Sequence, residues 1–346
     1  MERFSLTLMV AKQGSRQILA WVFLLALLAS PVPVDAATKR KKTAPAKTTN
    51  TSTPRQSEEE IATENGKGQG SMPKEFRQLQ PGDLPLTAQG AIVIDGLTGR
   101  TLYEKNSDTP FYPASTTKVM TALLVIEAGD LDREIVIAEE DSKVGESSLQ
   151  IKPGDRYTRR QMLYGLMLKS ANDVAHALGR DNAGSAEAFA LKMTRRAQEL
   201  GATNTSFRNA HGLHHVEHFT TPRDLALIAR YAMNQPLFRT VVSTQKYQWV
   251  RYASAEQAGG KAAPEIWNLS NHNRLLTRFD GCTGVKTGYT NPAQHTLVSA
   301  ALRSPREVIA VVMKDGKLQK WEDSMLLLTH GLDHPPKIDG EVAASH

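Results

Sequence analysis

The sequence is poor in cysteine: among its 346 residues, Cys282 is the only one. A single thiol excludes an intramolecular disulfide and a zinc site built from cysteines. A lone cysteine in an exported protein is more often a small buried apolar residue than a reactive group. The chain must therefore fold around a conventional core, which its 40% hydrophobic and 23% charged residues allow.

A strong charge of one sign is also missing from the part of the chain with globular composition. The formal net charge is +6, and most of this excess lies before residue 86. The remainder is nearly neutral, whereas nucleic-acid-binding domains carry concentrated positive charge. We expect no nucleic-acid partner.

Long apolar runs are scarce, and the one candidate lies at the N-terminus. Basic residues precede an apolar core from Ile18 to Leu28, and Val34-Asp35-Ala36 offers small residues for cleavage before Ala37. Residues 1–36 are therefore predicted to be a signal peptide, and the mature protein is expected in the periplasm or cell envelope. The uncharged run 17–34 reaches the lower limit for crossing a bilayer, so a retained membrane anchor is the alternative.

The composition changes again after the signal segment. Residues 37–85 are rich in Thr, Lys, Pro and Ser and have few large apolar side chains, which predicts a disordered basic and polar linker. Residues 86–333 are predicted to form the folded domain, and residues 334–346 a flexible tail.

The folded part begins and ends with strand-like runs. Ala91–Asp95 and Thr101–Glu104 flank a Gly-rich turn and predict a hairpin. Helices are predicted at 116–128, 160–169, from 172, 186–200, 221–233 and 320–330, and strands at 247–252, 284–288, 296–302 and 308–313. Strands on both sides of a helical block are not the alternation of a parallel α/β fold. They predict an α+β fold, in which an antiparallel sheet is covered by the first and last helices and an all-helical subdomain is inserted.

The start of the first predicted helix carries a possible catalytic pair. Ser115 lies at its N-terminus and Lys118 lies three residues later, on the same helix face. This geometry suits a serine nucleophile with a lysine base, and the free N–H groups of a helix start can stabilise an oxyanion. A capping serine with a solvated lysine is the alternative for the pair taken alone.

Two further S-x-x-K matches lack this geometry. Ser71 and Lys74 lie in the polar linker. Ser243 and Lys246 lie in TVVSTQKYQWV, which predicts a strand, where residues three apart point to opposite faces.

Two other motifs strengthen the catalytic interpretation of Ser115. Ser170-Ala171-Asn172 is the only S-x-N and Lys286-Thr287-Gly288 the only K-T-G in the chain. The first lies between two predicted helices and the second in a predicted strand. The order S-x-x-K, S-x-N, K-T-G is that of class A β-lactamases and penicillin-binding proteins.

From about Ala88 to Leu332 the sequence resembles the low-molecular-mass penicillin-binding proteins, the serine-type D-alanyl-D-alanine carboxypeptidases. The resemblance is carried by FYPASTTKVMTALL, MLKSANDVA, GATNTSFRNAHGL and DGCTGVKTGYT. It implies a β-lactamase/transpeptidase-like fold with the active site between sheet and helical subdomain. It also implies peptidoglycan stem peptides ending in D-Ala-D-Ala as substrates, β-lactams as covalent inhibitors, and no cofactor.

The resemblance also implies roles for individual residues. Ser115 would be the nucleophile, Lys118 its base, and Ser170 a proton relay toward the leaving amine. Lys118 can act only if it is neutral, and burial together with the Lys286 cation would lower its pKa. Asn172 would hold the substrate amide.

On the K-T-G strand, Lys286 and Thr287 would bind the terminal carboxylate. The oxyanion would lie between the backbone N–H groups of Ser115 and Tyr289. The expected substrate-binding set is therefore Asn172, Lys286, Thr287, Gly288 and Tyr289. A basic residue in NHNRLL, His272 or Arg274, is a further candidate for the carboxylate.

Other functions remain open at this point. A D,D-endopeptidase that cleaves cross-links would use the same residues. A class A-like β-lactamase is disfavoured because no E-x-x-L-N segment follows S-x-N. A non-catalytic module that binds wall peptides would not need the nucleophile and its base.

The segment His211–His218 contains four histidines and Glu217. Such residues can bind zinc, but Gly212 disfavours a regular helix that would gather them on one face. A solvated loop is the prediction, with a metal site as the alternative.

Overall fold

The computed structural model of the protein describes residues 84–251 and 264–334. The predicted signal peptide, nearly all of the linker and nearly all of the tail lie outside these residues. None of the helices within the two described ranges is long and apolar enough to cross a membrane.

The elements follow the predicted order of strands, helices and strands. In chain order they are β1 (Gly90–Asp95), β2 (Thr101–Lys105), α1 (Lys118–Glu127), β3 (Glu134–Val136), β4 (Arg156–Thr158), α2 (Arg159–Leu168), α3 (Asn172–Ala183), α4 (Ala186–Glu199), α5 (Pro222–Met233), α6 (Pro236–Ser243), β5 (Lys246–Arg251), β6 (Glu265–Ser270), α7 (Leu275–Arg278), β7 (Cys282–Thr290), β8 (Gln294–Arg303), β9 (Arg306–Asp315) and α8 (Gln319–Asp333). The hairpin, the helix starts at Asn172 and Pro222, and the final helix are confirmed.

The main sheet joins the two ends of the folded part, as predicted. Its five antiparallel strands lie in the order β2-β1-β9-β8-β7, so that β7 is an edge strand. Because side chains alternate along a strand, the central strand β9 buries both faces. Ile309, Val311 and Met313 join the core under the helical block. Val308 and Val312 join a second core under α8.

The helices cover the sheet differently from the prediction. The last helix, α8, covers one face as expected, but α5 and α6 pack on the other face and α1 lies behind them. Every residue of α1 from Lys118 to Val125 is buried. A helix buried on all sides belongs in the interior of a helical block rather than on the surface of a sheet.

The inserted block is not all-helical, which corrects the prediction. It contains a two-stranded sheet of β3 and β4 and another of β5 and β6. The predicted strand around Ser243 is also wrong in its first half, because Ser243 ends α6 and Lys246 begins β5. Pro236 starts this helix, whose apolar residues Phe238, Val241 and Val242 reach the core.

Candidate active site

Ser115 lies in a tight turn that leads into α1. The turn is a 3₁₀ helix, Ala114–Thr117, and Ala114 adopts a left-handed conformation with φ 49°. The Pro113 carbonyl before it accepts hydrogen bonds from Thr116 Oγ1 at 2.6 Å and from Thr296 Oγ1 of β8 at 3.0 Å. The turn that carries Ser115 is thereby attached both to its own helix and to the sheet.

Lys118 reaches back to Ser115 from the first turn of α1. Its side chain is fully buried, and Nζ lies 3.0 Å from Ser115 Oγ. Nζ also donates to Asn172 Oδ1 and to the His211 carbonyl oxygen, both at 2.7 Å. Burial, and then the charge of Lys286, hold the pKa of Lys118 well below its usual value. The neutral amine is the form that this environment favours.

The S-x-N segment joins α2 to α3 beside this lysine. Ser170 is 6% exposed and has φ 61°, a left-handed conformation that is costly for a residue other than glycine and that clusters at active sites. Asn172 begins α3 with both ends of its amide engaged: Oδ1 accepts from Lys118, and Nδ2 donates to the Gly145 carbonyl at 3.1 Å. The orientation of this amide is therefore fixed from two sides.

Asp173, next to the S-x-N segment, was not singled out from the sequence. Its fully buried carboxylate accepts hydrogen bonds from the backbone N–H groups of Leu149 and Ile151, and from Ser148 Oγ at 2.6 Å. The same loop supplies the Gly145 carbonyl to Asn172. Asp173 thus anchors the loop that orients Asn172. An aspartate following S-x-N is the available signal in the sequence.

Lys286 faces the site from the edge strand β7. It is 1% exposed, and Nζ donates to the Thr287 carbonyl at 3.0 Å. Burial lowers its pKa to about 7. From the sequence Lys286 was taken as a cation, whereas with this pKa the group is divided between its charged and neutral forms at neutral pH.

Gly288 brings β7 against the Ser115 turn. A Cβ at this position would lie 2.3 Å from Thr296 Oγ1 and 3.0 Å from the Ser115 backbone nitrogen. Only glycine allows the strand to approach so closely. Tyr289 follows, with a half-exposed side chain whose hydroxyl donates to Asn291 Oδ1 at 2.7 Å. The three motifs thus meet at Ser115.

The two ends of the histidine segment belong to the same site, which corrects the prediction of a solvated loop for these ends, whereas residues 214–217 are exposed as predicted. His211 and His218 are buried, and burial lowers the pKa of His218 to about 3. The Nε2 of His218 lies 2.8 Å from Thr117 Oγ1, within the Ser115 turn. Within the two described ranges, no group of three His, Cys, Asp or Glu side chains is placed to bind a metal ion.

Gly212 explains why this segment can approach the turn. Its φ is +91°, and a Cβ there would lie 1.8 Å from the Ala114 carbonyl oxygen. The neighbouring His211 carbonyl is one of the acceptors of Lys118. From the sequence, Gly212 indicated only that a helix was disfavoured.

The two basic candidates in NHNRLL lie in different surroundings. The backbone N–H of His272 donates to the Leu168 carbonyl at 3.2 Å, which attaches this residue to the end of α2, close to the S-x-N segment. Arg274 lies before α7, and its charge contributes, after burial, to lowering the pKa of Lys320 to about 8.

Comparisons with known proteins agree with this geometry. A family model described as D-alanyl-D-alanine carboxypeptidase matches residues 75–317. The D-alanyl-D-alanine carboxypeptidase DacF of Bacillus subtilis is 34% identical over 235 residues, which are 66% of this chain and 58% of the relative. The D-alanyl-D-alanine carboxypeptidase of a Streptomyces species (strain K15) is 36% identical over 259 residues, which are 71% of this chain and 87% of the relative.

A solved structure extends the similarity to three dimensions. The crystal structure of the Streptomyces K15 DD-transpeptidase matches with a TM-score of 0.68 and 33% identity, over 73% of this chain and 99% of that one. The antiparallel sheet with flanking helices is therefore an arrangement shared with a solved relative.

Proposed function

Because the chain belongs to the D-alanyl-D-alanine carboxypeptidase family, we propose that it removes the terminal D-Ala from peptidoglycan stem peptides through an acyl-serine. The observation that carries this proposal is the set of contacts around Lys118 Nζ. Asn172 Oδ1 and the His211 carbonyl can only accept hydrogen bonds, whereas Ser115 Oγ can also donate. A neutral amine donates to the first two and accepts the Ser115 proton on its lone pair.

Acylation follows from this arrangement. The Ser115 hydroxyl transfers its proton to Lys118 Nζ as Oγ attacks the carbonyl carbon between the two D-alanines. The negative charge that develops on the carbonyl oxygen is stabilised by the backbone N–H groups of Ser115 and Tyr289, where Gly288 brings strand and turn together. Collapse of the tetrahedral intermediate breaks the C–N bond.

The leaving amine needs a proton at this step. Ser170, buried between α2 and α3, relays the proton held by Lys118 to the amine nitrogen, and free D-Ala departs. Water then enters and loses a proton to Lys118 as it attacks the ester. The shortened peptide leaves, and the Ser115 hydroxyl is restored.

Lys286 and Thr287 give the reaction its preference for a peptide terminus. A carboxylate placed beside Lys286 supplies the negative charge that its buried surroundings lack, and an opposite charge nearby raises the pKa of an amine. Substrate binding therefore raises the pKa of Lys286 and shifts it to the protonated form. This dependence on a free carboxylate favours substrates whose leaving amine carries one on the neighbouring carbon, as the terminal D-Ala does.

The proposed substrate also fixes a location. Peptidoglycan lies outside the cytoplasmic membrane, so the protein must be exported, in agreement with the signal peptide predicted for residues 1–36. Protein isolated from its native host is expected to begin at Ala37 and to reside in the periplasm or envelope.

Transfer to an amine is a second candidate reaction, favoured by the solved relative named as a DD-transpeptidase. It would use the same acyl-Ser115, with an amine in place of water. Incubating the protein with a D-Ala-D-Ala peptide and a D-amino acid acceptor separates the two reactions, because hydrolysis shortens the peptide and transfer exchanges its last residue.

Labelled penicillin tests the nucleophile. We expect wild type to form a covalent adduct that lasts for minutes, and to release D-Ala from a pentapeptide, while Ser115→Ala does neither. Ser243→Ala is the matched control, since exposed Ser243 belongs to an S-x-x-K match outside the cleft. Labelling that persists in Ser115→Ala, or rapid penicillin turnover without D-Ala release, would contradict the proposal.

A further inference from the structure

A cavity of about 260 Å³ opens beside the Ser115 turn. Its walls come from the segment just before the turn, from the end of the histidine segment, from the turn between β7 and β8, and from the end of β9. The residues that line it are Pro110, Phe111, Tyr112, Val216, Phe219, Pro292, Ala293 and Lys314. This volume is below the roughly 300–1,000 Å³ of pockets for drug-sized ligands, so it suits a single side chain.

The aromatic wall is held in place by the backbone. Phe111 and Thr220 exchange backbone hydrogen bonds of 2.8 and 3.0 Å, which fixes Phe111 next to the Phe219 segment. The Phe111 ring packs so closely on Gly90 that a Cβ there would lie 2.4 Å from it. Tyr112 makes an edge contact with His214, with 4.6 Å between ring centroids. The cavity is therefore built before any ligand arrives.

Lys314 gives the cavity its charge. It is the only charged side chain in the lining, it is exposed, and no carboxylate of the described residues lies within ion-pair distance of it. Among the apolar lining residues, Val216 remains 71% exposed. Apolar walls with an unneutralised ammonium suit an aliphatic chain that ends in a carboxylate and disfavour one that ends in an amine.

The path of the substrate leads to this cavity. In the proposed function, on which this inference rests, the terminal carboxylate lies at Lys286 and the scissile carbonyl at the N–H of Tyr289. The rest of the peptide must then continue along β7 in the same direction, toward Pro292 and Ala293. Since a strand advances about 3.3 Å per residue, the residue before the two D-alanines lies beyond Tyr289, and its side chain is long enough to extend toward the cavity.

We propose that this cavity is a specificity subsite for the residue preceding D-Ala-D-Ala, and that it selects an aliphatic side chain ending in a carboxylate, as in 2-aminopimelate. Lys314 binds the carboxylate, while Phe111, Phe219 and Val216 cover the methylene groups. A lysine at this position of the stem peptide brings its ammonium against Lys314 and is disfavoured.

Three tripeptides of the form X-D-Ala-D-Ala, each acetylated at its N-terminal amine, test the subsite. X is L-2-aminopimelate, L-lysine or Nε-acetyl-lysine. The first two have four methylene groups and differ only in their terminal charge. We expect kcat/KM for the aminopimelate peptide to exceed that for the lysine peptide by roughly tenfold, the effect of one charge-assisted hydrogen bond. The neutral peptide should fall between them.

Two variants locate the preference. In Lys314→Ala the ratio of kcat/KM for the aminopimelate peptide to that for the lysine peptide should fall to about twofold or less. In Val216→Glu, at an exposed position, the same ratio should also decrease because the added carboxylate repels the carboxylate of the ligand. Lys317→Ala removes an equal charge from a nearby exposed position outside the cavity and should retain the preference.

The outcomes separate this inference from the proposed function. Equal kcat/KM for the three peptides in wild type, or an unchanged preference in Lys314→Ala, would overturn the subsite while leaving a working carboxypeptidase. Release of D-Ala from none of them, together with no labelling by penicillin, would overturn the proposed function itself. Penicillin labelling of each variant reports whether its Ser115 centre is intact.

Discussion

The two sides of the cleft each bury a lysine, but they prepare it for different tasks. On the helical side, Lys118 Nζ has three oxygen partners, and its pKa is lowered by burial and by Lys286. On the strand side, Lys286 is as deeply buried, but burial alone lowers its pKa, to about 7, and Nζ donates to the Thr287 carbonyl. The hydrogen-bond partners of Lys118 are all present without substrate. Lys286, in contrast, needs a substrate carboxylate to stabilise its ammonium form.

This difference shows that burial alone does not decide what a lysine does. Both side chains lose hydration, which disfavours the ammonium in each. The helical side adds fixed acceptors that orient an amine toward Ser115, and the strand side leaves room for a ligand. In the proposed function, one side of the cleft therefore serves proton transfer and the other side recognises the substrate carboxylate.

The largest effect is expected from Lys118→Arg. A guanidinium stays protonated at any practical pH and cannot accept the Ser115 proton, so acylation by penicillin should slow by about 10³-fold or more. Lys320→Arg is the matched control, because Lys320 is a buried lysine outside the cleft whose pKa is also lowered, to about 8. Near-normal acylation of Lys118→Arg would place the base elsewhere and end the contrast between the two lysines.

The second largest effect is expected from Gly212, which lies next to the His211 carbonyl that accepts a hydrogen bond from Lys118. In Gly212→Ala the new Cβ would lie 1.8 Å from the Ala114 carbonyl oxygen, so the Ser115 turn or the His211 carbonyl must move. Because a 1 Å displacement of reacting groups can cost about 10²-fold, we expect a loss of that order in the acylation rate.

Gly184→Ala provides the control for backbone strain. Gly184 has a similar φ of +86°, but nothing lies within 4 Å of its would-be Cβ. Its alanine variant should lose only about 1–2 kcal/mol of unfolding free energy and keep its acylation rate. Equal effects of the two substitutions would mean that the contact between Gly212 and the turn is unimportant.

The smallest effect is a pH dependence that belongs to Lys286. In the proposed function its ammonium binds the substrate carboxylate, and its pKa in the free enzyme is about 7. As pH rises through this value the charge is lost, so kcat/KM for a D-Ala-D-Ala peptide should fall by about tenfold per pH unit above it. In Lys286→Arg the charge persists, and the alkaline limb should move to higher pH. If the alkaline limb of the pH profile stays near pH 7 in Lys286→Arg, the titrating group is not Lys286.

The same shift has a consequence for stability. The pKa of Lys286 is lower in the folded than in the unfolded state, where it is near 10.5. Between these two values the unfolded chain binds more protons than the folded protein. The free energy of unfolding therefore decreases as pH falls from about 10.5 to about 7, by the amount that Lys286 contributes. Below pH 7 this contribution no longer changes.

Much of the site was predictable from local patterns. Ser115 and Lys118 are one helical turn apart, Asn172 begins a helix, and Lys286 and Gly288 lie on a strand, so spacing and periodicity placed each motif on the correct element. The prediction failed where a pattern was short or ambiguous. A strand was predicted around Ser243, but this residue ends a helix that begins at Pro236. His211 and His218 were predicted to lie in a solvated loop, but both are buried.

The groups that surround the motifs could not be found in this way. The His211 carbonyl meets Lys118 across 93 positions of the chain, and Gly145 meets Asn172 across 27. Backbone carbonyls carry no residue-type signal, since every residue has one.

The sequence by itself determined the order of elements and the positions of the proposed nucleophile, base and carboxylate-binding strand, because these depend on residue types and on spacings of two to four positions. Only the tertiary structure decided that Lys118 is surrounded by acceptors, that Lys286 titrates near neutrality, and that a cavity with one cation lies beyond Tyr289. Burial and charge depend on what distant segments bring to the same point in space, and no local pattern records that.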